Sequence, residues 1–307
     1  MGWIIFLGVI AVIAAMPWIL EAMRKPMAHK ARNYAPGEFV ALSGGVTHYQ
    51  WFGPIRGPVA VLVHGLTTPS VVWTEIADGL ADIGYRVLVY DLYGRGYSDK
   101  VAGPQNEQFF LTQLDELLAD QGLEDDLTLV GYSMGASIAA AFAAVEPHRM
   151  KRLIALAPSG VMLNESAFSR FCRQTPILGD WLHGALGALR MRRTIANDPA
   201  QVTAAPVIAA QLAELKRKGF VKSVLASRRG LLNETQERQY RAIAHDGIPT
   251  IVIWGEDDEV VPVAAVGRMA QWNRIAHHEV VPGAGHSLPY SHAAEVVGFL
   301  RQMLRDN

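Results

Sequence analysis

"LTLVGYSMGASIAAAFAAVEP", residues 127–147, is the stretch on which the reading of this chain turns. Its first four residues form a short apolar run of the kind found in a strand buried on both faces. The residues after Met134 are rich in alanine and stop before Pro147, as a helix does. Ser133 stands at the junction, with Gly131 two residues before it and Gly135 two after. A sharp strand-to-helix turn crowds both flanking positions, and only small residues fit there. A serine so held sits at the carboxyl edge of a sheet, at the head of a helix whose dipole favours developing negative charge. Ala136, Ala139, Ala140, Ala143 and Ala144 let that helix lie close to the strands.

Similar apolar runs recur along the chain: "VAVLV" (59–63), "RVLVY" (86–90), "LIALA" (153–157) and "TIVIW" (250–254), with "HHEVV" (277–281) as a further strand. Helical stretches separate most of them, so they read as βαβ units of a parallel sheet. Ahead of these, "EFVALS" and "VTHYQWFG" flank Gly44-Gly45, a hairpin signal that predicts an antiparallel edge. Between Ala157 and Thr250 no buried strand is legible. That interval reads as helices, among them 180–193 and a helix from Pro206 to a stop at Gly219 with Ile208, Leu212 and Leu215 on one face. An all-helical insertion of this length is too long for a plain connection and is expected to form a lid over one end of the sheet.

A serine nucleophile needs a base, and the base needs an orienting acid. His286 lies in the Gly-rich loop "VVPGAGHSLPY" (280–290), beyond a strand end and before a terminal helix. His277 and His278 begin a strand at the opposite sheet edge, and His292 is expected to open the last helix in solvent. The acid should follow the preceding strand, where "WGEDDEVVP" (254–262) offers Glu256, Asp257, Asp258 and Glu259. Side-chain chemistry alone does not choose among them. His64, after the strand 59–63, reads as a structural hydrogen-bonding residue, and "DLYGRGYSD" (91–99) as a tight turn whose Arg95 pairs with nearby acids.

These motifs, with "HGLT" (64–67) and "GAGH" (283–286), stand in an order that resembles the α/β-hydrolase superfamily from about residue 37 to the C-terminus. The resemblance implies a mostly parallel sheet with helices on both faces and a helical cap inserted before the acid-bearing strand. It implies a core of residues 37–161 and 246–307 and a cap of 162–245. In that family the acid commonly follows the glycine of W-G-x-x-D by three residues, which selects Asp258. Ser133, Asp258 and His286 are then the expected catalytic residues, and the N–H groups of Leu66 and Met134 the expected oxyanion hole. Both of those side chains are expected to line the acyl pocket. The chemistry implied needs no cofactor and no metal. Because the nucleophile is serine, the dehalogenase and epoxide-hydrolase branches, which use aspartate, are disfavoured.

Composition narrows the partners. With 307 residues, half of them hydrophobic, and a net charge of −1, the chain is globular and gives no reason to expect nucleic acid. A single cysteine, Cys172, excludes an intrachain disulfide framework. "WIIFLGVIAVIAAMPWIL" (3–20) carries no charge and as a helix spans about 27 Å, close to a bilayer core. It lacks the basic residues that precede a signal peptide's apolar run and the polar stripe of a core helix. Residues 1–25 are therefore expected to be a single-pass anchor. Arg24, Lys25, Lys30 and Arg32 follow the apolar run 3–20, which predicts a catalytic domain on the cytoplasmic side. An anchored enzyme of this kind suits lipid-like carboxylic esters such as monoacylglycerols. The alternatives are a carbon–carbon bond hydrolase of ring-cleavage products and a non-catalytic ligand-binding relative.

Overall fold

The computed structural model describes residues 2–27 and 29–305; the side chain of Lys30, one of the four basic residues after the apolar segment, lies outside the described ones. The chain opens with α1 (Gly2–Ala22) and a single turn, α2 (His29–Arg32), before the sheet begins. Eight strands make up the sheet: β1 (Glu38–Leu42), β2 (Gly45–Phe52), β3 (Val59–Val63), β4 (Arg86–Tyr90), β5 (Leu127–Tyr132), β6 (Met150–Leu156), β7 (Thr250–Gly255) and β8 (His277–Val281). Their order is β1-β2-β4-β3-β5-β6-β7-β8. Only the pairs β1/β2 and β2/β4 are antiparallel. The hairpin signal at Gly44-Gly45 is thus the β1–β2 turn, and every predicted run is a strand. β5 and β7 are buried along their whole length, as expected of central strands whose two faces are both covered.

On the two faces lie α3 (Thr74–Ala81), α4 (Glu107–Asp120) and α5 (Met134–Val145), then after β7 α11 (Ala265–Trp272), α12 (Leu288–Ser291) and α13 (Ala293–Arg305). One core packs α4 and α5 against Val61, Leu129 and Leu153; the other packs α3 and α13 against Leu62, Val130 and Ile253. Alternate residues of each strand point to opposite layers, so a single apolar run supplies both cores. Between β6 and β7 the chain is wholly helical: α6 (Ala167–Gln174), α7 (Leu178–Ala196), α8 (Ala205–Glu214), α9 (Phe220–Arg229) and α10 (Glu237–His245).

The helix expected to run from Pro206 to Gly219 ends earlier, at Glu214. The reason lies in the N-terminal segment. Lys25 pairs with this stretch as a strand would: its N–H donates to the Lys216 carbonyl, and its carbonyl accepts from Lys218 N–H, both at 2.9 Å. Glu21, buried, accepts from Gly219 N–H and from Arg24, each at 2.6 Å. Charge-assisted bonds this short, made away from bulk water, outweigh one more helical turn. Further up, Trp181 Nε1 donates to the Ala14 carbonyl at 2.9 Å, and Gly184 allows Pro17 to approach α7. The apolar helix α1 is therefore docked on α7, with apolar side chains from Trp3 to Ile13, and Trp18 and Ile19 beyond them, facing outward.

His64, at the end of β3, is fully buried. Its Nδ1 lies 2.8 Å from the Gly65 carbonyl, and its Nε2 accepts from Leu92 N–H at 2.9 Å, so the ring is neutral with the proton on Nδ1. It joins the loop after β3 to the loop after β4. The charge of Glu214 reaches Arg95 only at longer range, and among the described residues Arg95 makes no salt bridge. Its hydrogen bonds run to the Leu66 and Tyr93 carbonyls, Gln105 and Ser227, because the buried turn surrounds it with neutral acceptors. His292 is half-buried and bonded to Ser291 rather than solvated, since it closes α12 before α13 begins.

Two outcomes are expected. Glu21→Ala leaves the Gly219 N–H without its acceptor and should cost about 2–3 kcal/mol. Hydrogen exchange at residues 214–219 should then rise, as it should in a chain lacking residues 1–27 but not in one lacking only 1–19. The second outcome concerns acid. Burial pulls the His64 imidazole down to about 4, with only partial compensation from the Asp91 charge. A histidine depressed in the folded state contributes stability that is whole above its unfolded value, about 6.5, and is lost as pH falls toward the folded one. Denaturant titrations from pH 6.5 to 4 should therefore cost the wild type about 3 kcal/mol more than His64→Gln.

Candidate active site

Ser133 follows β5 and precedes α5, and its backbone is forced into a left-handed conformation, φ 52° and ψ −116°. Such a conformation costs a non-glycine residue of order 1–3 kcal/mol and persists only where its surroundings impose it. Here they do. A Cβ at Gly131 would overlap the Ala136 backbone, and one at Gly135 would overlap the Val63 carbonyl. Ser133 N–H donates to the Leu156 carbonyl at 2.9 Å, and its own carbonyl accepts from Ser159 Oγ at 3.0 Å. The backbone is held on three sides while the side chain is left free to point outward.

The side chain meets His286, whose Nε2 is 3.0 Å from Ser133 Oγ. His286 Nδ1 is 2.8 Å from Asp258 Oδ2. Asp258 is itself fixed, because its Oδ1 accepts from the N–H groups of Val260 and Val261 at 2.7 and 2.8 Å. Of the four acids after β7, Asp258 alone is buried; Glu256, Asp257 and Glu259 are exposed. A buried carboxylate on Nδ1 keeps the proton there and leaves Nε2 as an acceptor facing the serine hydroxyl. Tyr132 holds His286 in place, its hydroxyl donating to the His286 carbonyl at 2.8 Å.

Leu66 lines the same cavity as Ser133, and Met134 follows the serine in the chain. Met134 is the first residue of α5, so its N–H has no acceptor within the helix. Arg95 holds the Leu66 carbonyl at 3.1 Å, which fixes the orientation of that loop. The two side chains do not behave alike. Leu66 lines the cavity over Ser133, but Met134 is fully buried in the core beneath α5. An N1 side chain on this helix faces the sheet, so only its backbone is turned toward the serine.

Ser133 and His286 open onto a cavity of about 590 Å³. One end is formed by the sheet edge and the other by α6–α9, with Leu163, Met191, Phe220, Val224 and Leu232 among its apolar walls. Sequence reasoning missed its polar part. Arg173, Arg190, Arg193 and Arg228 all line it, against two carboxylates, Glu165 and Asp198. No local motif marks these arginines. They come from three different helices, and only the packing of the insertion gathers them.

Residues 58–293 match the family described as alpha/beta hydrolase fold. Lipase 1 of Psychrobacter immobilis is 26% identical over 248 residues, covering 80% of this chain and 76% of its own length. The 2-hydroxymuconate semialdehyde hydrolase of Pseudomonas putida is 28% identical over 238 residues, covering 72% and 77%. Among solved structures, a membrane phospholipase A described as a bacterial virulence factor superposes with a TM-score of 0.70 at 20% identity. That superposition covers 99% of this chain and 97% of the other. With the match spanning most of the chain and the mostly parallel eight-stranded sheet beneath it, this protein belongs to the α/β-hydrolase fold family.

Proposed function

We propose that the protein is a membrane-anchored serine hydrolase of carboxylic esters, acting on lipid-like esters such as monoacylglycerols. The observation that carries this reading is the unbroken hydrogen-bond chain from Ser133 through His286 to Asp258 at the edge of a largely apolar cavity. In this reading His286 Nε2 takes the Ser133 proton as Oγ attacks the ester carbonyl. The N–H groups of Leu66 and Met134 receive the oxyanion, and preorganised donors of this kind lower the barrier by several kcal/mol. His286 then protonates the leaving alcohol. Water, activated by the same imidazole, releases the acid and restores Ser133. Asp258 stabilises the imidazolium that forms in each half-reaction.

Helices α6–α10 act in this reading as the cap, and α1 as the anchor, with the catalytic domain on the cytoplasmic face. The 21 residues of α1 are long and apolar enough to cross a bilayer. Because α1 docks on α7, the cap is the part of the domain nearest the membrane, and an ester leaving the lipid meets the cavity first. Hydrolysis of a carbon–carbon bond in ring-cleavage products is the second reading; one relative is named a 2-hydroxymuconate semialdehyde hydrolase, and a vinylogous diketone acid belongs in the same substrate panel.

Ser133→Ala should abolish ester hydrolysis with an unchanged melting temperature, and a fluorophosphonate should label the wild type once, at Ser133. Label on Ser98, Ser137 or Ser287 contradicts the assignment. Asp258→Asn should lower turnover about 10⁴-fold, as loss of the orienting carboxylate does in serine proteases, while Asp257→Asn stays within about twofold. Reversed phenotypes would place the acid one residue earlier. For the membrane part, carbonate-washed vesicles should retain the full-length chain. A chain lacking residues 1–19 should keep its rate on a short soluble ester and lose most of it on monoacylglycerol embedded in vesicles. Equal vesicle rates would detach the anchor from the function.

A further inference from the structure

Arg228 and Arg229 are neighbours on α9 and could hardly be held more differently. Arg229 donates to both oxygens of Asp180 and to the carbonyls of Arg173, Cys172 and Thr175. Arg228, among the described residues, makes no hydrogen bond. Its Nε is sealed from solvent without a partner, and its one ion pair, from NH1 to Glu165 Oε1, is long at 3.9 Å. Glu165 is already engaged by Arg173, which grips it with Nε at 3.2 Å from both oxygens and NH2 at 2.8 Å from Oε2. The three side chains together carry one excess positive charge. Arg190, stacked over Phe168 at 4.2 Å, adds a second on the same wall.

A guanidinium in this position is costly. Removing a cation from water without hydrogen bonds carries a penalty of several kcal/mol, which a single long contact to a shared carboxylate does not offset. Yet Arg228 is not sealed away entirely. It lines the cavity that holds Ser133, and 26% of its side-chain surface is open. A charge that is poorly satisfied by the protein, and that lines the substrate cavity, has its missing partner in the ligand.

We propose that Arg228 forms an anion subsite at the cap end of this cavity, and that the enzyme prefers esters carrying a carboxylate or phosphate group remote from the scissile carbonyl. The proposal rests on the reading of this protein as a serine ester hydrolase and names the substrate class of that same site. The anion replaces water at the open face of Arg228, with Arg190 adding charge attraction. Glu165, held by Arg173, repels a misplaced anion and fixes where the charge can sit. A planar guanidinium suits either oxyanion, so the two sources must be separated by experiment.

The test compares matched pairs of esters. Monolauroylglycerol against its glycerol-phosphate counterpart forms the phosphate arm. The dimethyl against the monomethyl ester of dodecanedioic acid forms the carboxylate arm. In the wild type the charged member of at least one pair should be favoured in kcat/KM by about ten- to a hundredfold, the range of a charge-assisted hydrogen bond, with the gain in KM. Arg228→Gln should bring that ratio to about one, Arg228→Lys should leave it intermediate, and Lys222→Gln, exposed on the same helix, should leave it as in the wild type. A wild-type ratio near one in both arms, or a ratio kept by Arg228→Gln, overturns the subsite. Because Arg228→Gln removes an ill-satisfied charge, it should melt no lower than the wild type. Calorimetry of dodecyl phosphate and dodecanedioic acid with Ser133→Ala, alone and combined with Arg228→Gln, separates the subsite from the reaction. At least tenfold weaker binding of one ligand in the double variant supports the subsite even if no ester in the panel is cleaved, which would count against the hydrolase reading alone. Equal binding of both ligands by the two variants overturns the subsite while ester cleavage stands.

Discussion

The Val63 carbonyl leaves no room for a side chain at residue 135, and the Ala136 backbone leaves none at residue 131. Everything else about the site depends on that close approach of α5 to β3 and β5. It drives Ser133 into a conformation that an isolated chain would avoid, and so lifts the hydroxyl clear of the sheet edge. It also brings the first N–H of α5 alongside the loop after β3, whose course is set by His64 and Arg95. The strain at Ser133 is small beside the apolar burial of α5, which is buried from Met134 to Ala143.

The sheet supplies the rest of the alignment. β5, β6, β7 and β8 are adjacent and parallel, so the loops leaving their carboxyl ends emerge on one edge. Ser133, Asp258 and His286 stand on three of those loops, 125 and 28 residues apart in sequence yet within hydrogen-bond reach. This is the general logic of open α/β sheets, in which strand order rather than sequence distance decides which side chains meet. The helical insertion leaves from the same edge after β6, and for that reason its helices wall the cavity onto which Ser133 opens.

The N-terminal segment couples to that insertion through polar contacts and through packing. Glu21, Arg24 and Lys25 grip the chain at 214–219, while Ala14 and Pro17 touch α7. An apolar helix joined to a globular domain by a loose linker would leave the domain free to tumble. Here the contacts fix the helix against the elements that wall the cavity.

By itself the sequence determined the strands, the elbow and the order of the motifs, because each rests on local rules. Buried strands read as apolar runs, a tight turn demands Gly131 and Gly135, and an apolar stretch of 18 residues stands out from any globular background. The histidine that meets Ser133 was legible from the glycine-rich loop around His286. Which carboxylate meets that imidazole was not legible from chemistry, since four stand in a row; burial and two backbone N–H donors set Asp258 apart, and both arise only when the loop is folded. Tertiary structure also decided where α8 ends, where the Met134 side chain points, and what Arg95 binds. In each case a distant partner overrode the local preference. The cationic wall of the cavity belongs to the same class. Arg173, Arg190, Arg193 and Arg228 lie on three helices with no common spacing, and charge density in a cavity is a property of packing that no stretch of sequence carries.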